Sequence, residues 1–445
     1  MAKHDLRFWM KCISCGEIMP QDRPLYDCIF CGGLLMPERD DDFIRRYIGD
    51  GEAIQAYFDS IKYSRRSAVY PYGSGVFRYL DFLFPGFPAE AIISLREGNT
   101  DLSTLPKWDR KKIGLSSIFF KMEGHNPTGS FKDRGMCGAV SEVNRLIMFY
   151  PELGIKGTAQ ASSGDTAAAA AAFSAEIEGI RNIVLMAHGK VAPGQVVQSK
   201  KYRALLIEID HPKGFDGAMK IASELCRTHP ELVLLNSKNP FRLIGQEAIA
   251  LEIFQDLNWK VPRWISVPAG NGGNLTALMM SCLRAKAFGI INELPGIIIA
   301  QPKISNTLVR WERSGFRDYM PGTYKDSVAS AMNIQDPVSF PRINNLRKHF
   351  EIRAFDVEEK EIKDTRARFI HLDPHGAVAT HAVLQAREGG VIKENDSVVV
   401  IVTANDLKFP DSNSAYLDNC ENEFANPSNI VPGTVEAVEQ VLALA

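Results

Sequence analysis

The 445-residue chain is 45% hydrophobic and 23% charged, an ordinary balance for a globular protein and a length that suits two or three domains. Its 51 basic and 53 acidic side chains leave a formal charge of −2, so no global field draws it to nucleic acid or an anionic membrane. No apolar run approaches the roughly 18 residues of a membrane-spanning helix. The opening MAKHDLRFWMKC lacks the apolar stretch and cleavage site of a secretory signal, so a cytoplasmic protein is expected.

Residues 1–40 are rich in cysteines and turns and too short to form a core without a staple. Cys12-x2-Cys15 and Cys28-x2-Cys31 have the double-knuckle spacing of a structural zinc ribbon, with Gly16 and Gly32-Gly33 supplying tight turns. The alternative is a pair of disulfides or a degenerate remnant. Few basic residues lie nearby, Lys11 and Arg23 among them, so a structural role or a subunit contact is favoured over nucleic-acid binding. Cys137, Cys226, Cys282 and Cys420 are scattered, and buried reduced thiols are expected for all four.

Helical spacing runs from Phe43 to Tyr57, and Pro71-Tyr72-Gly73-Ser74-Gly75 makes a turn-rich break. From Ile118 onward, short apolar runs alternate with helical segments. The predicted strands are Ile118–Met122, Thr158–Ala161, Ile183–Met186, Leu205–Ile209, Val233–Leu235, Ile265–Pro268, Ile297–Ala300 and Val398–Val402. The predicted helices are Gly135–Met148, Ala167–Ala172, Val196–Tyr202, Gly217–Arg227, Leu243–Leu257, Asn274–Ala287 and Gly376–Arg387. This alternation argues for an α/β fold with parallel sheets covered on both faces.

Ligands in such folds sit where strand ends meet helix starts, and three loops there carry distinctive chemistry. In the first, His125 to Gly135, Lys132 follows a Gly/Ser turn and Phe131 at a helix start, where the dipole disfavours the ammonium form. A lysine of lowered pKa suits a Schiff-base nucleophile; a lone lysine would otherwise be read as a solvated charge. The second loop, Pro268 to Asn274, brings backbone N–H groups together at a helix N-terminus and suits one phosphomonoester, or is an ordinary glycine turn. It has neither the dinucleotide nor the Walker spacing. The third, Ala161-Ser162-Ser163-Gly164-Asp165-Thr166, sets hydroxyls and amides before an alanine-rich helix, and helix capping alone would account for it.

Together these loops resemble the β-family (fold type II) of pyridoxal-phosphate enzymes, and within it the threonine synthases, especially their plant-like branch. The resemblance runs from about Tyr70 to near the C-terminus. It includes PYGSGVF at Pro71–Phe77, EGNTDL at Glu97–Leu102, PTGSFKDRGM at Pro127–Met136, SSGDT at Ser162–Thr166 and FDGAMK at Phe215–Lys220. It continues with NSKNPFRLIGQ at Asn236–Gln246, VPAGNGGN at Val267–Asn274, PHGAVA at Pro374–Ala379 and TANDLKF at Thr403–Phe409.

The resemblance implies two doubly wound parallel-sheet domains behind the ribbon: an extension at 41–115, a smaller-sheet domain at 116–235 and a larger-sheet domain at 236–445. It implies pyridoxal 5'-phosphate as cofactor, with Lys132 bonded to it and shuttling protons and Phe131 beside it. Gly270, Asn271, Gly272, Gly273 and Asn274 would hold its phosphate. Thr403 would meet the pyridine nitrogen, and Asp165 would lie near the ring oxygen. The implied substrate is O-phosphohomoserine, its phosphate gripped by Ser162, Ser163, Thr166, Asn239 and Arg242; for Arg242 the alternative is a helix-surface charge. A homodimer is expected. The branch has His-Gly where this chain has Asn405-Asp406, which either adds a carboxylate near the cofactor or reshapes a turn. The competing readings are a lyase acting on serine, threonine or another phosphorylated amino acid, and a catalytically silent cofactor-binding homologue.

Overall fold

The computed structural model describes residues 6–63, 70–162, 164–188, 193–212, 214–323, 325–369 and 371–442. Twelve strands in these residues form three sheets. β1 (Phe8–Cys12) and β2 (Leu35–Arg39) pair antiparallel at the N-terminus. A six-stranded sheet contains β3 (Leu102–Thr104), β4 (Ser117–Met122), β9 (Trp264–Pro268), β10 (Gly296–Pro302), β11 (Ile352–Val357) and β12 (Ser397–Val402), in the order β11-β10-β9-β12-β4-β3. A four-stranded sheet contains β5 (Gly157–Ala161), β6 (Arg181–Ala187), β7 (Leu205–Ile209) and β8 (Leu232–Leu234), in the order β7-β6-β5-β8.

The smaller sheet is wholly parallel, and the larger is parallel except where β3 runs antiparallel to β4. Parallel strands need helical crossovers, which cover both faces and explain the unbroken apolar runs. Every residue of β9 and β10 is buried. The helix Pro374–Glu388 packs over β9 to β12, while helices Lys132–Phe149 and Gly273–Ala287 pack against Phe241–Asp256. The α/β reading therefore holds.

Several local expectations change. β4 pairs with β12 in the larger sheet, so the smaller sheet begins only at Gly157 rather than near residue 116. The segment Phe43–Tyr57 is two helices, Asp41–Ile48 and Gly51–Tyr63, separated by Gly49-Asp50; Asp40 caps the first through Phe43 N–H at 2.9 Å. Among the scattered cysteines, Cys137 and Cys282 are buried, whereas Cys226 is half-buried and Cys420 is exposed. Cys420 lies beyond the last strand, where no sheet covers it. No helix of the described residues is long and apolar enough to cross a membrane.

The N-terminal hairpin is welded to the main body. Phe8 is fully buried and packs against Phe84, Phe87 and Phe241. Arg39 forms a fully buried ion pair with Glu247 at 2.5 Å, and Arg342 donates to the carbonyl of Leu35 at 2.6 Å. Removing one partner from such a pair would strand a buried charge at a cost of about 3–5 kcal/mol.

Candidate active site

The carboxyl ends of β4, β9 and β12 open onto one cavity of about 920 Å³. All three distinctive loops reach it, as the topology of an open parallel sheet requires. Phe131 and Lys132, Ser162, Gly164, Asp165 and Thr166, Gly270 to Asn274, and Thr403 all line it. Ser163 lies outside the described residues.

Lys132 is the first residue of its helix, with Nζ 4.0 Å from the centre of the Phe131 ring. The loop is pinned from behind. Thr128 donates its N–H and its hydroxyl to Asp133, at 2.6 and 2.5 Å, and Asn405 N–H donates to Gly129 O at 2.9 Å. One residue further, buried Arg134 is clamped by Glu123 at 2.6 Å and Glu252 at 2.7 Å. Burial lowers the Lys132 pKa to about 7; nearby Arg242 acts in the same direction and Asp165 opposes both. An amine so poised is half neutral near physiological pH, as a nucleophile and proton carrier needs.

The Gly270–Asn274 loop leaves the end of β9 and opens the Gly273–Ala287 helix. Gly272 has φ +77, and a Cβ there would stand 2.5 Å from Ile343 Cδ1. The left-handed backbone disfavours any side chain there, and a Cβ would also require Ile343 to shift. Beside the loop, Asn274 Nδ2 and Gln246 Oε1 are buried without hydrogen-bond partners. Backbone amides at a helix N-terminus, with unspent polar atoms beside them, are an arrangement that can hold a phosphate group.

Arg242 is 4% exposed and lines the same cavity. It donates to Leu235 O at 3.1 Å, leaves Nε unpaired, and forms no ion pair with a carboxylate among the described residues. Burial lowers its pKa to about 10. The surface-charge alternative is therefore excluded: this guanidinium is buried and has no carboxylate partner among the described residues.

Asn239 is the exception among the expected contacts. It does not line the cavity; it donates to Leu234 O at 3.2 Å and accepts from Phe241 N–H at 3.0 Å, fastening the turn before the helix. Its neighbours Asn236 and Ser237 face the cavity instead. His375 also lines the wall and was not singled out from its PHGAVA motif. Its Nδ1 hydrogen-bonds Asp373 at 2.6 Å, its Nε2 accepts from Ala331 N–H at 3.1 Å, and Thr403 donates to the same carboxylate at 3.4 Å. The histidine two residues after a carboxylate, at a helix start, was the available signal.

Asp406 turns away from the cavity to Arg366, at 2.7 Å, and Asn413, at 3.2 Å, while Asn405 accepts from Leu407 N–H at 3.0 Å. Of the two readings of Asn405-Asp406, the turn is the one the fold adopts.

Comparison with known proteins gives the family of the chain. Residues 93–404 match the family described as pyridoxal-phosphate dependent enzyme. The chain is 36% identical over 391 residues to threonine synthase 2, chloroplastic, of Arabidopsis thaliana, covering 86% of this chain and 73% of that one. It is 35% identical over 408 residues to threonine synthase of Methanocaldococcus jannaschii, covering 90% and 93%. The chain belongs to the threonine synthase family.

Among solved structures, the fold is similar to Escherichia coli threonine synthase, with a TM-score of 0.67 at 20% identity over 98% of this chain and 99% of that one. A tomato threonine deaminase shares the fold at a TM-score of 0.58, 19% identity and coverage of 76% and 92%. The threonine synthase family is thus distinguished here by sequence rather than by fold, which other pyridoxal-phosphate enzymes share.

At the N-terminus, the sulfurs of Cys12, Cys15, Cys28 and Cys31 all lie within 4.8 Å of one another, with Cys12–Cys31 and Cys15–Cys28 at 3.5 Å. Tetrahedral zinc with bonds of about 2.3 Å sets sulfurs about 3.8 Å apart, so the cluster has the size of a zinc site.

Proposed function

We propose that this chain converts O-phospho-L-homoserine and water to L-threonine and phosphate, using pyridoxal phosphate held at Lys132. The observation that carries the substrate is Arg242: a buried guanidinium with no carboxylate partner among the described residues, lining the cavity that contains Lys132. Serine or threonine offers that cation only an α-carboxylate, whereas a phosphorylated amino acid brings a phosphate as a second, more highly charged anion.

The Gly270–Asn274 amides and Asn274 would hold the cofactor's phosphate, Thr403 would meet its ring nitrogen, and Asp165 would lie near its ring oxygen. Bound there, the cofactor supplies an electron sink for negative charge developing on the substrate. Lys132 Nζ takes the α-proton in its neutral form and returns a proton later in the reaction. Arg242, with Ser162, Thr166 and Ser163, binds the γ-phosphate and stabilises its charge as it leaves. Asn236 and Ser237 line the cavity where Asn239 does not. Most of the rate comes from holding these groups in register around one substrate.

Cys12, Cys15, Cys28 and Cys31 bind a structural zinc ion in this reading, closing the hairpin that packs against Phe241 and Glu247. The free thiols suit a reducing compartment such as the cytosol, and a homodimer is the proposed assembly.

The test is to incubate purified, cofactor-loaded protein with O-phosphohomoserine and follow phosphate and threonine together. Equimolar release supports the reading. A loaded protein that releases no phosphate, but deaminates serine or threonine, overturns it.

A further inference from the structure

Lys408 does not line the cavity, yet it touches two of the loops that do. It sits on the short turn Asp406–Lys408, held in place by the Arg366–Asp406 pair, and its side chain is 9% exposed. Its ammonium lies 2.7 Å from Asp165 Oδ1 and donates to Thr128 O at 2.8 Å. Its aliphatic stem runs past Gly129, where φ is +84 and a Cβ would come within 3.1 Å of Lys408 Cδ. One cation therefore joins the serine loop, the lysine loop and the exit of the last strand.

The chemistry at stake is the charge of Asp165. Of the groups acting on Lys132, burial and Arg242 disfavour its ammonium form, and Asp165 alone favours it. The other titratable groups facing this region are Asp133, held by Thr128 and also acted on by Lys408, Asp373, held by His375 and Thr403, His188, held by Glu208, and His211 and Asp326 on the cavity lining. An uncompensated Asp165 would hold a proton on Lys132 and repel an anionic ring oxygen beside it.

We propose that Lys408 is a positioning residue of the cofactor site, its ammonium balancing Asp165 so that this carboxylate stays beside Lys132 without fixing the lysine in its charged form. The proposal rests on the assignment of Lys132 as the cofactor lysine.

The test titrates the visible absorbance of the cofactor-loaded full-length chain with pH. In Lys408→Met, the midpoint moves up by about one unit, because one balancing charge is gone. In Asp165→Asn it moves down. In the double variant Lys408→Met/Asp165→Asn it returns towards the wild-type value, which a purely packing role for Lys408 would not produce. Lys408→Arg keeps the midpoint near wild type. If Lys408→Met does not fold, Lys408→Gln with and without Asp165→Asn makes the same comparison. An unchanged midpoint in the single variant, or a shift that Asp165→Asn fails to reverse, overturns the proposal. A wild-type chain that takes up no cofactor removes the assignment of Lys132 and this inference with it, and is distinguishable because no band forms at all.

Discussion

Phe131 donates its main-chain N–H to the carbonyl of Thr403 at 3.0 Å, so the residue before Lys132 and the residue that follows the last strand form one stitched edge. The adjacent bridge between Ser130 and Ala404 extends the same seam. Residues separated by most of the catalytic sequence are thereby held in fixed register around the cavity, and the consequences can be measured.

Under the proposed function, replacing Lys132 by alanine removes both the cofactor bond and the proton carrier. Turnover is expected to fall by at least about 10⁴-fold, while circular dichroism stays unchanged because the surrounding loop is held by Asp133 and Thr403 rather than by the lysine. Steady-state phosphate release measures it.

Arg242→Leu removes the unpaired cation. The loss of a charge-assisted contact worth about 1.5–3 kcal/mol lowers kcat/KM for O-phosphohomoserine by roughly 10–150-fold. Inhibition by inorganic phosphate should weaken in parallel, whereas cofactor content should change little. A variant that loses cofactor but keeps its inhibition by phosphate would assign Arg242 to the cofactor instead.

The depressed Lys132 pKa has a pH consequence for the cofactor-free protein. Its folded value is about 7 against 10.5 in the unfolded chain, so the unfolded state binds more protons between these values. The contribution of this group therefore makes the protein more stable as pH rises from about 7 towards 10.5. It is most destabilising below about 7, where the buried amine must be charged. Urea unfolding of the cofactor-free wild type and Lys132→Met as a function of pH checks this; the slope should be smaller in the variant.

Gly272→Ala places a Cβ against Ile343 at a left-handed backbone position. The strain is about 1–3 kcal/mol, and the loop should relax away from its phosphate-cradling shape. Cofactor affinity is expected to drop by about tenfold or more, measured by equilibrium titration of absorbance.

Much of this site was legible in the sequence because its chemistry is carried by contiguous loops. Lys132, Asp165, the Gly270–Asn274 run and Thr403 each sit at a strand–helix junction that hydrophobic periodicity marks without knowledge of strand order. What periodicity missed has physical reasons. β11 mixes Arg353 and Asp356 into an edge strand whose other side has no strand partner, so it lacks the apolar run of β9 or β10. The pairing of β4 with β12 is non-local, and no feature of Ile118–Met122 distinguishes one sheet from the other. Asn239 and Asn236 differ by three positions in one motif, and only the fold shows that Asn236 lines the cavity with its amide pinned to the Ala161 backbone while Asn239 fastens the turn. Lys408 could be named as part of a motif, but its partner Asp165 lies far away in the chain.

The most direct measurement is to load the protein with pyridoxal phosphate, reduce it with borohydride and map the labelled peptide by mass spectrometry. The account predicts a visible absorbance band that disappears on reduction and a single label on Lys132. A protein that acquires no band, or one whose label falls on another lysine, would contradict the assignment on which the whole site depends.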